Sequence, residues 1–194
     1  KRILERSSVV IQRSWKSKST KFAEHQYLYV VNVFYIIYVQ KKVWIITNKL
    51  KAIIFDWGRT LYNNEEEKLF PETKEVLEYL YKKYKLAIVS LVSDGNFEKR
   101  YYILKKSNLK KYFELILLHR DNKDFLYEEA IKKLNVESKE VAIVDDRIIR
   151  GIKWGNKNNS TTIWLKKGKF SNEINKETNP SYIIENLKEL KNLF

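Results

Sequence analysis

The chain has 194 residues, 44% hydrophobic and 32% charged, which is enough apolar mass for a cored domain and too much for a disordered chain. It has no cysteine and only two histidines, His25 and His119. A disulfide framework, a thiolate nucleophile and a multi-histidine metal centre are therefore excluded, and any metal must sit on oxygen ligands, as magnesium does. The net charge of +14 is uneven: residues 1–50 carry 10 basic and 2 acidic side chains, residues 51–194 the remaining 28 and 22. A basic balance suits nucleic acid or an anionic surface, but the composition, rich in Lys, Ile, Asn and Tyr, accounts for the second part without either.

Residues 1–49 form a basic and apolar extension with no Gly or Pro to punctuate it. Its apolar run, Tyr27 to Val39, would span about 20 Å as a helix, short of the roughly 30 Å of a bilayer core. Gln40-Lys41-Lys42 follows where a signal-peptide cleavage site would need small residues. Aromatic and β-branched content favours two short strands there, over 27–39 and 43–46. No membrane span is expected. The lack of cysteine fits a reducing, cytoplasmic setting. With no methionine in the chain, the working domain is expected to begin near Leu50 and to run over residues 50–194.

From Lys51 the pattern is regular. Ala52–Phe55 reads as a strand ending at Asp56. Pro71 opens a helix with Val76, Leu77, Leu80, Tyr81 and Tyr84 on one face. Leu86–Ser90 reads as a second strand and Asn96–Lys106 as a second helix. Tyr112–Leu118 reads as a third strand. A third helix follows over Lys123–Leu134, with Leu126, Tyr127, Ala130, Ile131 and Leu134 inward. Val141–Val144 is a fourth strand ending at Asp145 and Asp146, Thr161–Leu165 a fifth, and Ile183–Leu193 a closing amphipathic helix. Strand and helix alternate, so the fold class is α/β: a doubly wound, Rossmann-like parallel sheet with helices on both faces. Ligands of such sheets bind at the carboxyl ends of the strands.

Those ends carry a coherent set. A carboxylate such as Asp56 can attack phosphorus and form an acyl phosphate. Carboxylates such as Asp145 and Asp146 can hold Mg2+, which shields the nucleophile from its anionic substrate. A hydroxyl and an ammonium, Ser90 and Lys123, can hold phosphoryl oxygens. The order of these residues resembles the haloacid dehalogenase superfamily of hydrolases. Its motifs are a strand ending in Asp-x-Asp-x-Thr/Val, a strand ending in Ser or Thr, a Lys, and a strand ending in one or two acidic residues. The resemblance covers about three quarters of the chain. It implies Asp56 as nucleophile and metal ligand, Asp145 and Asp146 as further ligands, and the Gly58 carbonyl as another protein oxygen. It also implies Ser90 and Lys123 on the phosphoryl group, with Thr60 and Arg59 beside the substrate. Ser93 competes with Ser90 for the phosphate role, and nearby lysines compete with Lys123. Arg59 either grips phosphate or turns outward.

Two departures from the motif stand out. Gly58 replaces the Asp that serves as general acid and base in the phosphatases of the family, and Ile148 and Ile149 sit where a further acidic residue often stands. Only 34 residues separate Asp56 from Ser90 and 33 separate Ser90 from Lys123, too few for a sizeable cap domain. An open site of that kind suits a macromolecular phosphorylated substrate. The expected function is a magnesium-dependent phosphatase acting through an aspartyl-phosphate. The alternative is a catalytically weak or inactive binding module, favoured by Gly58. Nucleic-acid association through Lys105, Lys106, Lys110 and Lys111 ranks third. Trp57, Trp154 and Trp164 read as packing residues, Glu65–Glu67 as a solvated loop, and His119 as a surface residue.

Overall fold

A computed structural model describes residues 50–92 and 96–194. The expectations for residues 1–49, and that for Ser93, fall outside the described residues.

Eight strands and five α-helices follow in chain order among the described residues: β1 (Ala52–Phe55), β2 (Tyr62–Asn63), β3 (Lys68–Leu69), α1 (Thr73–Leu80), β4 (Lys85–Leu91), α2 (Phe97–Lys106), β5 (Leu115–His119), α3 (Lys123–Leu134), β6 (Val141–Asp145), α4 (Lys153–Lys157), β7 (Thr161–Leu165), β8 (Tyr182–Ile184) and α5 (Leu190–Leu193). Six strands make one parallel sheet in the order β5-β4-β1-β6-β7-β8. β2 and β3 form a separate antiparallel hairpin between β1 and α1. Among the described residues, the connections that follow β1 and β4 hold the hairpin, helices and turns, with no inserted domain.

β1 shows why the sheet is buried on both faces. Ile53 and Phe55 point to one side, packing with Leu77 and Leu80 of α1 and with Leu187 and Leu190 near the C-terminus. Ala52 and Ile54 point to the other, among Leu126, Tyr127, Ala130 and Leu134 of α3. The two-residue period of a strand thus divides one apolar tetrapeptide between two cores. Each fully buried Leu or Ile contributes about 1.5–3 kcal/mol relative to exposure. α3 matches its expected span. The Asn122 side chain accepts the Phe125 N–H at 2.9 Å to start it. Asn135, left-handed at φ 52°, ends it.

Three expectations change. α1 stops at Leu80, so Tyr81 is largely exposed, although its ring meets Tyr112 edge-on at 5.1 Å. The third strand begins at Leu115, because Lys110–Tyr112 form a 3₁₀ turn. The closing segment is not one helix. Tyr182–Ile184 pairs with β7 as the edge strand β8, and a 3₁₀ turn over Leu187–Glu189 leads into α5. A capping box marks the true start: Asn186 Oδ1 accepts the Lys188 N–H at 2.9 Å, and Glu189 Oε1 accepts the Asn186 N–H at 2.9 Å.

Candidate active site

Sheet register assembles the site. Phe55 pairs with Val144, and the Asp56 N–H donates to Val144 O at 2.9 Å, so Asp56 and Asp145 leave neighbouring strands side by side. β4, on the other flank of β1, brings Ser90 to the same edge. Lys123 is the first residue of α3 and reaches across from β5's side of the sheet. Its ammonium donates to Asp56 Oδ1 and to Asp145 Oδ2, each at 2.6 Å. Asp56, Ser90, Lys123, Asp145 and Asp146 are all buried.

Asp145 is the most tightly held. Its Oδ1 accepts the Arg147 N–H at 2.8 Å, and its Oδ2 accepts Tyr127 OH and the Gly151 N–H, each at 3.2 Å. The chain makes this cradle by passing from β6 through a π-turn, Ile148–Ile152, into α4. Ile148 packs with Ile152 on Trp164, whereas Ile149 is exposed and gives its N–H to Glu173 Oε2 at 3.2 Å. Gly151 is required by contact: a Cβ there would come within 2.5 Å of Tyr127 OH and collide with the Asp145 carboxylate.

The electrostatics follow from crowding three carboxylates out of water. Burial alone would discharge Lys123, but Asp145 and Asp56 hold its ammonium well above the ordinary lysine range. Burial pushes the Asp56 carboxyl up, with Lys123 pulling it back and Asp145 adding to the rise. Burial, reinforced by Asp145 and Asp56, pushes Asp146 up to about 8. Asp146 Oδ2 is buried with no hydrogen-bond partner among the described residues, and its main-chain carbonyl accepts Trp164 Nε1–H at 3.0 Å. Asp56, Asp145 and Asp146 each offer an oxygen within 4.8 Å of the others. An orphaned carboxylate oxygen beside two more, with no histidine or thiolate, is a donor set fitted to a hard divalent cation.

Above this floor lies a cavity of about 290 Å³. Asp56, Gly58, Ser90, Lys123, Asp145 and Asp146 line it, and so does Arg59. Thr60 does not, which corrects its expected place beside the substrate. Trp57 O accepts the N–H groups of Thr60, Leu61 and Tyr62, a tight turn that folds Thr60 fully inside. Sequence reasoning missed Asn64, Leu91, Arg100, Arg147, Arg150 and Phe170, which complete the wall. Arg100 Nη1 donates to Ser90 Oγ at 3.0 Å. Arg59 Nε donates to Glu65 Oε1 and Arg147 Nε to Glu173 Oε1, each at 2.7 Å. The guanidiniums of Arg59 and Arg147 lie 5.3 and 3.8 Å from the centre of the Phe170 ring.

The three tryptophans pack: Trp57 stacks on Tyr62, Trp154 on Tyr127, and Trp164 joins the isoleucines. His119 Nδ1 accepts the N–H groups of Asp121 and Asn122, a turn-forming role. Lys105, Lys106, Lys110 and Lys111 are exposed, with Lys110 and Lys106 over the rings of Tyr101 and Tyr102. No helix among the described residues is long and apolar enough to cross a membrane.

Solved structures share this fold. The HAD-hydrolase YfnB from Bacillus subtilis, bound to magnesium, is 13% identical with a TM-score of 0.63, over 74% of this chain and 98% of that one. A 2-haloacid dehalogenase from Pseudomonas syringae is 15% identical with a TM-score of 0.60, over 74% and 97%. A HAD phosphatase from Thermococcus onnurineus is 25% identical with a TM-score of 0.53, over 65% and 58%. No curated protein matches the chain. The family model described as haloacid dehalogenase-like hydrolase matches residues 12–165. A match of that length, on a parallel sheet with its acidic residues at the ends of β1 and β6, makes this chain a member of the haloacid dehalogenase-like hydrolases.

Proposed function

We propose that the chain is a magnesium-dependent phosphohydrolase that works through an aspartyl-phosphate on Asp56. The observation that carries this reading is the Lys123 ammonium bonded at once to Asp56 and Asp145, beside the unpartnered Asp146 oxygen. Asp56, Asp145 and Asp146 would hold the ion with the Gly58 carbonyl, and the ion would supply positive charge between the nucleophile and the phosphoryl oxygens.

The chain's own groups do the rest. Asp145, fixed by Tyr127, Arg147 and Gly151, fixes Lys123 in turn, and Lys123 aims Asp56 Oδ1. With Arg100 donating to Ser90 Oγ, the Ser90 hydroxyl proton is left to a phosphoryl oxygen; its weak alternative is Leu91 O at 3.4 Å. Asp56 attacks phosphorus, the bond to the leaving oxygen breaks, and water then cleaves the acyl phosphate and regenerates the carboxylate. Gly58 has no proton to give, and lost general acid catalysis costs about 10²–10⁴-fold on a leaving group that needs one. That glycine is also what favours the second reading, a binding module that holds phosphate without turning it over.

Phosphate release from 4-nitrophenyl phosphate, with and without magnesium, separates the two. The aryl leaving group needs little protonation. Magnesium-dependent release that disappears in Asp56→Asn is the expected result. Release equal in wild type and Asp56→Asn would overturn the hydrolase reading and leave the binding module.

A further inference from the structure

The pocket wall carries more than a phosphate monoester needs. The room that a side chain at position 58 would use is taken by Asn64: a Cβ on Gly58 would lie 3.0 Å from Asn64 Nδ2 and 3.3 Å from Oδ1. Gly58 does not have a positive φ, so what meets a larger residue there is the Asn64 amide, which would have to shift by a few tenths of an ångström, and not a backbone twist. An amide donates a hydrogen bond but has no proton to transfer. The other titratable groups on the wall are the three clustered carboxylates and the cations Lys123, Arg59, Arg100, Arg147 and Arg150. On the phosphohydrolase reading those carboxylates serve as nucleophile and metal ligands and the cations keep their protons, so no group on the wall is left to protonate the leaving oxygen, which departs as a stable anion.

The arginines say what else that leaving group carries. Arg100 is engaged with Ser90, at the end of the pocket where the transferred phosphoryl group sits. Arg59 and Arg147 flank Phe170, and each is held through Nε by a glutamate outside the wall. A guanidinium held through Nε keeps its two terminal nitrogens for a ligand, and such fixed planar forks match phosphate oxygens. Arg150 is exposed and has no ion pair among the described residues. The volume, about 290 Å³, suits a small anion and not a folded partner.

We infer that the substrate is a small phosphoric anhydride, a diphosphate whose leaving phosphoryl group is gripped by Arg59, Arg147 and Arg150. The inference rests on the phosphohydrolase reading and narrows its substrate. Asp56 Oδ1 bonds to one phosphorus and the bridging P–O bond breaks, its electron pair staying on the departing phosphate. Water then bonds to the phosphorus of the acyl phosphate, the pair of that P–O bond returns to Asp56, and the sum is one anhydride and one water giving two phosphates and a proton. A phosphate leaving group ionises near pH 6, an alcohol about ten units higher, so only the first tolerates Gly58.

The test uses the full chain with excess magnesium and three substrates: inorganic diphosphate, 4-nitrophenyl phosphate and glycerol 2-phosphate. Diphosphate should exceed glycerol 2-phosphate in kcat/KM by about 10²-fold or more. Arg150→Ala, at an exposed position, and Arg147→Gln should each raise KM for diphosphate about tenfold more than for 4-nitrophenyl phosphate. Calorimetry should show methylenediphosphonate binding about tenfold tighter than methylphosphonate, with that margin lost in both variants. Turnover of the aryl ester without diphosphate, or equal losses on both substrates, would overturn the anhydride and leave the phosphohydrolase standing. No turnover of any of the three, with Asp56→Asn indistinguishable from wild type, would sink both.

Discussion

The floor and the rim of the pocket are built on different principles. The floor stands on strand ends and the first turn of α3, and Asp56, Lys123 and Asp145 are locked to one another in one buried network. The rim stands on the hairpin, on the turn after β6 and on the segment near Phe170, and two of its charges, Arg59 and Arg147, are tied to the exposed Glu65 and the half-buried Glu173. Residues of the floor are coupled to folding. Residues of the rim can change with little consequence for the sheet, so on the proposed reading chemistry resides below and substrate choice above. The comparison is open to attack by mutation.

The largest effect belongs to Lys123→Met. It leaves Asp56 and Asp145 as adjacent buried carboxylates without the ammonium that bridges them, and breaking such a pair costs about 3–5 kcal/mol. Urea denaturation without metal should show that loss, and added magnesium should recover part of it. A loss below about 0.5 kcal/mol, the range of ordinary surface changes, would mean the floor is not a folding element. Gly151→Ala comes next. It sets a methyl against Tyr127 OH and the Asp145 carboxylate, and overpacking of that kind costs about 1–3 kcal/mol. Thermal melts should detect it as a drop of roughly 2–4 °C per kcal/mol.

These floor residues were also the legible ones. Asp56, Ser90, Lys123 and Asp145 sit at the ends or starts of elements that apolar runs announce, and a parallel sheet brings such ends together whatever the loops do. The rim was not legible. β2 and β3 are two residues each, too short for any period to show. Nothing distinguishes Arg100 in the sequence of α2, a helix with a single buried residue, Leu104. Asn64 matters only because the hairpin folds it over Gly58, a contact no spacing rule contains. β8 was misread because Ile183, Ile184, Leu187, Leu190 and Leu193 repeat at helical spacing, while the open edge of β7 took the first of them into the sheet.

Asp146 lies between floor and rim and gives a pH signature. Its carboxyl is pushed up to about 8, above its unfolded value, by burial first and by the neighbouring carboxylates. Folding thus takes up a proton between about pH 4 and 8, and the stabilisation present below that window is lost as pH rises through it. Asp146→Asn removes the dependence. Without metal, the variant should match wild type near pH 4 and melt higher, by roughly 2–4 °C per kcal/mol recovered, at pH 8 and above. With magnesium the order should reverse, because only wild type gains a ligand. A variant that melts lower at pH 8 without metal would show that Asp146 is ionised and well satisfied.

The smallest effect tests the rim itself. Arg59 has φ 62°, the left-handed region where a side chain with a Cβ costs about 1–2 kcal/mol. Its ion pair with Glu65 is part-exposed, and such pairs contribute about 0–1 kcal/mol. Glycine at this position relieves the strain but adds unfolded-state entropy of roughly 0.5–1 kcal/mol. Arg59→Gly and Arg59→Ala both lose the ion pair, but only Arg59→Ala keeps the strain, so Arg59→Gly should be more stable than Arg59→Ala by up to about 1.5 kcal/mol. Paired melts of the two variants read the difference directly. A rim that stores strain to hold a guanidinium over the pocket makes glycine the more stable choice and the worse binder of methylenediphosphonate. If Arg59→Gly instead melts lower than Arg59→Ala, the left-handed turn is not strained, and the arginine is there for its packing on Phe170.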